Sequence, residues 1–347
     1  MENRVRHLDG WRGFAILAVL VGHYLTSKGL NFGRLGVELF FVLSGRLMAE
    51  ILFVRERPLG SFYVRRFTRV YPALFAFACI LLGVAVAGLA PDPTGLQTLS
   101  VVTLTYNYLL PEIGRTAVLG HIWSLCVEEH MYLLLGLVAF LCRRYAKLRP
   151  APILAVLILL ALAIGTVQTA MGWGYYDVYW RSDTRGGSIL MGALAFLALR
   201  ETTAPFLASS VAPIALGVTG VALNLHALPD PLKYSLGTAC LAASLALSHR
   251  APRWALGVLE HRFVLIAGTL SYSLYLWQQP FYKEVPGFPE RLAVLPLALL
   301  AGVLSYRLIE QPARRALNRR FHARPSRIAE EERTAEEIPF APAPRPL

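Results

Sequence analysis

Two ionisable residues eleven positions apart give this 347-residue chain its first chemical signal. Arg12 and His23 stand near the ends of the apolar run WRGFAILAVLVGH. At about 100° per residue, eleven residues fall within ~20° of three whole turns, so the two side chains share a helix face roughly 16 Å apart along the axis. One helix thus presents a cation and a base to the same cleft. An ionisable group in a membrane span costs roughly 2.5–3.5 kcal/mol on insertion scales, so His23 needs a partner, a watery cavity or a reaction to serve. A hydrogen bond to a neighbouring helix is the plainer alternative.

A second polar constellation lies in HIWSLCVEEHMY, where His121, Ser124, Glu128 and Tyr132 fall at offsets 0, 3, 7 and 11 and form a stripe on one helix face. Against lipid such a stripe is costly, so it is expected to face a protein interior or a cavity. Counted inward from its outer end, Glu128 lies roughly 10 Å down, a depth that His23 also reaches. The expectation is a base and its orienting carboxylate. In FYVRRFTRVYP, Arg65, Arg66 and Arg69 crowd one amphipathic piece, which Pro72 is expected to separate from the next span. Arg66 and Arg69 share a face and can clamp phosphates through charge-assisted hydrogen bonds, although cytosolic anchoring by basic residues explains them equally.

Three further stretches carry supporting candidates. Glu38 and Ser44 lie in GVELFFVLSGRLM, and a serine in a span ordinarily bonds back to its own helix. Arg185 precedes the glycine-rich GGSILMGALAFL, and GTLSYSLYLWQQPF holds Tyr272, Tyr275, Trp277 and Gln278. Such residues suit a sugar or acyl site, but aromatic stripes more often pack.

The elements that must position these residues are membrane helices. The chain is 55% hydrophobic and 16% charged, far from a soluble domain. Ten stretches long enough to be spans begin near Trp11, Gly36, Pro72, His121, Ala151, Gly187, Pro205, Lys233, Val264 and Arg291. Leu99 to Leu110 is too polar to be counted. The net charge of +12 lies mostly between spans and matches no nucleic-acid module, so no nucleic-acid partner is expected. Arg4 and Arg6, the cluster from Arg55 to Arg69, Arg143 to Arg149, Arg250 to Arg262 and the basic residues after Arg314 fall in alternate segments. The other segments hold only scattered cations such as Lys28, Arg34, Lys283 and Arg291. The positive-inside rule then places both termini in the cytosol of a multi-pass cell-membrane protein. Trp173, Tyr175, Tyr176, Tyr179 and Trp180 form an outer aromatic belt. The cysteines Cys79, Cys126, Cys142 and Cys240 have neither disulfide nor zinc spacing, so no metal is expected. Residues 1–312 read as an all-α membrane domain and 313–347 as a disordered cytosolic tail.

In this order and spacing, LDGWRGFAILAVLVGH, GVELFFVLSG, RRFTRVYP, HIWSLCVEEHMY, the Arg185 to Gly192 segment, SYSLYLW and SYRLIEQP resemble the acyltransferase-3 family of membrane O-acyltransferases, from Leu8 to about Arg315. The resemblance implies ten core helices, an acyl-CoA donor, acetyl-CoA by default, entering from the cytosol, and a glycan, lipid-linked saccharide or related acceptor met outside. It implies His23 as the catalytic histidine with Arg12 as its partner, and Arg66 and Arg69 near the donor, and it marks Glu128 and Tyr132. His130, Arg46 and Gln278 depart from the family pattern. The expected reaction is proton removal from an acceptor hydroxyl by His23, followed by attack on the thioester. A proton-coupled transporter or flippase would show matching halves with broken midplane helices, and no such symmetry is visible. A non-catalytic acyl-CoA sensor is the third reading.

Overall fold

The computed structural model describes residues 6–25, 29–90, 93–283 and 285–322. The charges of Arg4 and Lys28 and the tail beyond residue 322 lie outside the described residues. The described secondary structure is helical, apart from an isolated bridge between Leu30 and Leu225. In chain order come α1 (Arg6–Tyr24), α2 (Phe32–Ala49), α3 (Leu59–Val86), α4 (Gly95–Val102), α5 (Tyr106–Ile113), α6 (Ile122–Arg144), α7 (Pro150–Ala170), α8 (Tyr175–Tyr179) and α9 (Ser182–Leu199). There follow α10 (Pro205–Ala208), α11 (Ala212–Ala222), α12 (Asp230–Leu232), α13 (Thr238–Ala246), α14 (Arg253–Leu259), α15 (Arg262–Lys283), α16 (Glu290–Ser305) and α17 (Gln311–His322).

Helices occupy all ten stretches expected to be spans. Four of them, Leu59–Val86, Ile122–Arg144, Pro150–Ala170 and Glu290–Arg320, are long and apolar enough to cross a membrane by length and composition. These four carry exposed apolar side chains such as Phe75, Leu137, Leu159 and Leu300, as a lipid-facing surface requires. The helix expected from Pro205 forms instead at Ala212 and has only 11 residues. Prolines at positions 205 and 213 each open a helix, because proline suits a helix's first turn but not its interior. Leu99 to Leu110 folds as parts of α4 and α5.

Two boundaries differ from the sequence expectation. Pro72 lies inside α3 and does not divide it. Proline removes one backbone bond there, and packing of the flanking turns against α15 and α17 outweighs that loss of about 3 kcal/mol. Order also continues past residue 312, as α17 runs to His322. Its Asn318 accepts a hydrogen bond from Thr68 of α3 at 3.1 Å.

The core is built on α1, α2, α9 and α15, with α1 packed broadly against both α2 and α15 and α2 against α9. Small residues permit these crossings. A Cβ on Gly45 would lie 1.8 Å from the Ile189 carbonyl oxygen, and one on Gly192 would lie 2.1 Å from that of Val42. Here α2 and α9 meet backbone to backbone, the close approach that small residues allow between membrane helices. Gly45→Ala must therefore push the helices apart, at a cost of about 1–3 kcal/mol. Gly60→Ala, which enters open space, is expected to be neutral or slightly stabilising. Thermal unfolding of the two variants in detergent checks this, and equal melting would contradict the close crossing.

Candidate active site

Three helices carry most of the site. The polar stripe of α6 turns toward α2 and α15 and lines a cavity of about 240 Å³ together with arginines from α1 and α3. Arg12, Arg65, Arg66 and Arg69 stand around it, and its polar lining includes Ser44, Ser124, Glu128, Tyr132 and Tyr275. A second cavity, of about 460 Å³, shares Arg12, Leu47, Ile51, Arg69 and Tyr272 with the first and reaches Glu50, Arg55, Glu310 and Arg314. Its lining includes residues of two π-turns, Glu50–Val54 and Tyr306–Glu310, where one extra residue per turn re-aims the helix. Glu310 accepts a hydrogen bond from Ser273 at 2.7 Å and forms no ion pair with Arg307 or Arg314, the nearest arginines in sequence.

The arginines differ in their partners. Arg12 pairs with Asp9 at 2.6 Å, one helical turn away. The Arg66 guanidinium lies 3.8 Å from the Tyr132 ring centroid and reaches Glu129 at 3.4 Å, leaving its buried Nε without an acceptor. Arg69 makes no hydrogen bond or ion pair among the described residues, yet it lines both cavities. Several guanidiniums around one cavity, with spare donors, suit a polyanionic group such as phosphate.

Ser44 is tied to α6 rather than to its own helix. It donates to the Glu128 carboxylate and accepts from the Tyr132 hydroxyl at 3.0 Å. The polar face of α2 is therefore met across the helix interface, where a second polar face removes any need for back-bonding. Ser124 shares a 2.5 Å hydrogen bond with the Tyr275 hydroxyl, which itself donates to the His121 carbonyl at 3.0 Å. The Tyr275 ring also meets Phe40 edge-on, and both line the first cavity. Trp277 packs edge-on against Phe77, as a structural aromatic would.

His23 sits elsewhere. Its Nδ1 lies 2.7 Å from the Gln278 carbonyl oxygen, and the amide nitrogen of Gln278 donates to the Tyr275 carbonyl at 3.4 Å. An amide oxygen can only accept, so Nδ1 carries the proton and Nε2 keeps its lone pair. That nitrogen looks toward Gly33, where a Cβ would stand 3.2 Å away. One face of the imidazole stacks on Tyr282, with centroids 4.6 Å apart. The expected pairing of His23 with Glu128 is not formed. Depth along a helix gave the two residues a common level, but α6 does not start at the surface. His121, just before it, and Ile122, its first residue, are already buried, and Glu128 is held by Ser44 of α2 whereas His23 is held by Gln278 of α15. His23 lines neither of the two cavities. Gln278 places it one turn of α15 beyond Tyr275.

Glu38 and Arg185 form a separate closed knot. They pair with each other at 1% and 3% side-chain exposure. Thr238 donates to the other Glu38 oxygen, and the guanidinium lies 3.8 Å from the Tyr234 ring centroid. Neither residue lines a described cavity. His130 is bonded to Ser182 at 2.7 Å and Arg46 to Glu50 at 2.9 Å, so both departures from the family pattern have local partners. Sequence reasoning missed Asp9, Phe40 and Tyr282 as residues of these sites. Asp9 carried a signal, an acid three residues before Arg12. The aromatics carried none. The four cysteines are free, and no group of three metal-ligating side chains occurs among the described residues.

With this geometry in hand, comparison with known proteins adds the family. A family model described as an acyltransferase domain matches residues 5–306. The chain belongs to this family, acyltransferase-3. It is 28% identical over 363 residues to an O-acetyltransferase OatA of Staphylococcus aureus, covering 94% of this chain and 60% of the relative. It is 26% identical over 361 residues to the peptidoglycan O-acetyltransferase OatA of Listeria monocytogenes, covering 90% and 56%. A putative peptidoglycan O-acetyltransferase, YrhL of Bacillus subtilis, is 27% identical over 358 residues, covering 91% and 56%. The chain thus spans about three fifths of the length of the curated relatives it matches. No solved structure matches.

The buried pair supplies a direct check on the helix arrangement. Glu38→Gln strands the Arg185 charge and should cost about 3–5 kcal/mol, whereas Glu38→Leu combined with Arg185→Met removes both charges and should cost much less. Thermal unfolding of the single and double variants measures the difference. Additive losses would mean that the two residues do not pair.

Proposed function

We propose that this member of the acyltransferase-3 family is a membrane O-acyltransferase that moves an acyl group, acetyl by default, from acyl-CoA to a hydroxyl of an extracytoplasmic carbohydrate. The observation that carries this reading is the group of arginines around one cavity, with Arg69 in no hydrogen bond or ion pair among the described residues, connected through Tyr275 and Gln278 to a histidine whose Nε2 is available as a base. The names of the relatives favour peptidoglycan or a similar glycan as the acceptor. Ten helices cross the cell membrane in this reading, with both termini cytosolic, so the arginine end faces the cytosolic acyl-CoA pool and the His23 end faces outward.

The nucleotide and pyrophosphate of the donor lie in the larger cavity, against Arg12, Arg69 and Arg314. Arg65 and Arg66 line the first cavity together with the Ser44, Glu128 and Tyr132 network. The thioester passes Tyr275 toward His23. This passage requires the Ser124–Tyr275 hydrogen bond to open, because that pair and Phe40 line the end of the cavity. His23 Nε2 then takes the proton of the acceptor hydroxyl, whose oxygen attacks the thioester carbonyl carbon. The C–S bond breaks, and the imidazolium returns the proton to the departing thiolate, giving ester and free thiol. Gln278 holds Nδ1–H so that the correct nitrogen faces the acceptor, the orienting task that a carboxylate performs elsewhere. Glu128 belongs to the donor side, as the acceptor of the Ser44 hydrogen bond. Glu38 and Arg185 support the fold.

Protein purified in detergent with acetyl-CoA and a peptidoglycan fragment is expected to release free thiol. His23→Ala should lower the rate by about 10²–10⁴, the usual contribution of a general base. Arg69→Gln should instead raise KM for acetyl-CoA about tenfold or more, as loss of a charge-assisted phosphate contact does. Thiol release that is unaffected by His23→Ala, or absent with every acyl-CoA from folded protein, would overturn the reading and favour transport or sensing.

A further inference from the structure

The His23 mouth carries positive charge that neither the fold nor the donor uses. Tyr282, stacked on the imidazole, has two cations on its ring: Lys283 Nζ and Arg291 Cζ, each 5.4 Å from its centroid. Each cation therefore lies no farther from the imidazole centroid than the 4.6 Å and 5.4 Å contacts combined. Both also act electrostatically on the His23 ring. Neither forms an ion pair among the described residues, and Glu290, next to Arg291 in the chain, pairs with neither. Arg291 spends its Nε on the Val285 carbonyl at 3.3 Å and keeps its two terminal nitrogens.

Four other described cations at this end are matched. Arg115 pairs with Asp177, Arg181 with Asp183, Lys233 with Asp230, and Arg34 stacks on Tyr175. Lys283 and Arg291 thus stand out as two like charges converging on one ring without a counter-ion among the described residues. Arg291 is half-buried, where an unpaired cation is costly. Their position also runs against the positive-inside rule, under which outer segments are poor in Lys and Arg. Topology does not account for them. Trp173, Tyr175 and Tyr176 expose aromatic surface of the kind that packs on sugar rings.

We propose that the His23 mouth binds an anionic saccharide, with a sugar carboxylate held by Lys283 and Arg291 so that a hydroxyl of the same or the adjacent sugar meets His23. The inference rests on the acyl-transfer reading for its purpose but predicts binding that needs no donor. A carboxylate takes the bidentate edge of a guanidinium together with an ammonium, and the two contacts through Tyr282 keep these cations within a short saccharide's reach of the imidazole. An acidic acceptor would thus be oriented before any proton moves.

The test is equilibrium binding, by calorimetry in neutral detergent, of a glucuronic-acid-containing tetrasaccharide and of the same tetrasaccharide with its carboxylates methyl-esterified. Wild type should bind the acid about tenfold more tightly than the ester, as a charge-assisted pair would give, and the preference should weaken with salt. Lys283→Gln and Arg291→Gln should each reduce the preference, and the double variant should bind acid and ester equally. Arg200→Gln, at the other end of the molecule, should keep the wild-type preference. Equal binding of acid and ester by wild type, binding of neither, or a preference that survives in the double variant would overturn the inference. Phosphatidylglycerol that abolishes saccharide binding at low molar ratio would assign the cations to a lipid headgroup and overturn it too. Thiol release is measured separately, so failure of this inference is distinguishable from failure of the acyl-transfer reading.

Discussion

A guanidinium or carboxylate at membrane depth must meet a partner or water, and that requirement sorts the charged residues of this chain into two kinds. Arg185 and Glu38 meet each other so completely that almost no surface of either remains exposed. The arginines of α1 and α3 are only partly matched: Arg12 by Asp9, Arg66 by Glu129 and the Tyr132 ring, and Arg69 by no hydrogen bond or ion pair among the described residues. Like charges that are incompletely paired cannot be packed dry, so the helices around them stand apart and leave two connected cavities. The closed pair holds the fold together, and the open group makes the space in which chemistry can occur.

The same constraint explains how the site helices are joined. Ser44 binds α2 to Glu128 and Tyr132 of α6, Ser124 of α6 binds Tyr275 of α15, and Gln278 of α15 binds His23 of α1. Since α1 packs directly on α2, these contacts close a ring of four helices through polar side chains. Each contact satisfies groups that lipid would leave unpaired, so the ring both stabilises the bundle and fixes its polar side chains in orientation. Backbone approach at Gly45 and Gly192 sets how deeply α2 is seated on α9 and with it the height of Ser44.

The partner of His23 has a chemical consequence. A carboxylate on Nδ1 would both fix the tautomer and offset the charge of an imidazolium. An amide oxygen does the first, but it carries only a dipole. Tyr282 covers one face of the ring and two cations lie beyond it, so on that side His23 meets an aromatic ring and positive charge rather than a carboxylate.

The sequence alone determined the helical class, the membrane character, the approximate place of each helix and the residues able to do chemistry. These follow from local properties: apolar run length, three-to-four-residue spacing, and the cost of charge in lipid. The facing of Arg66 and Arg69 into one space, and the inward turn of the Ser124, Glu128 and Tyr132 stripe, were legible for the same reason, since helical periodicity fixes which residues share a face. Which faces meet was decided only by tertiary structure. His23 is held by Gln278, 255 positions away, and Arg185 by Glu38, 147 positions away, and no periodicity links such residues. Pro72 within a continuous helix, the buried start of α6 and the pairing of Ser44 with Glu128 have the same cause. Each is settled by packing between helices, and a sequence states what each helix must bury but not against which neighbour.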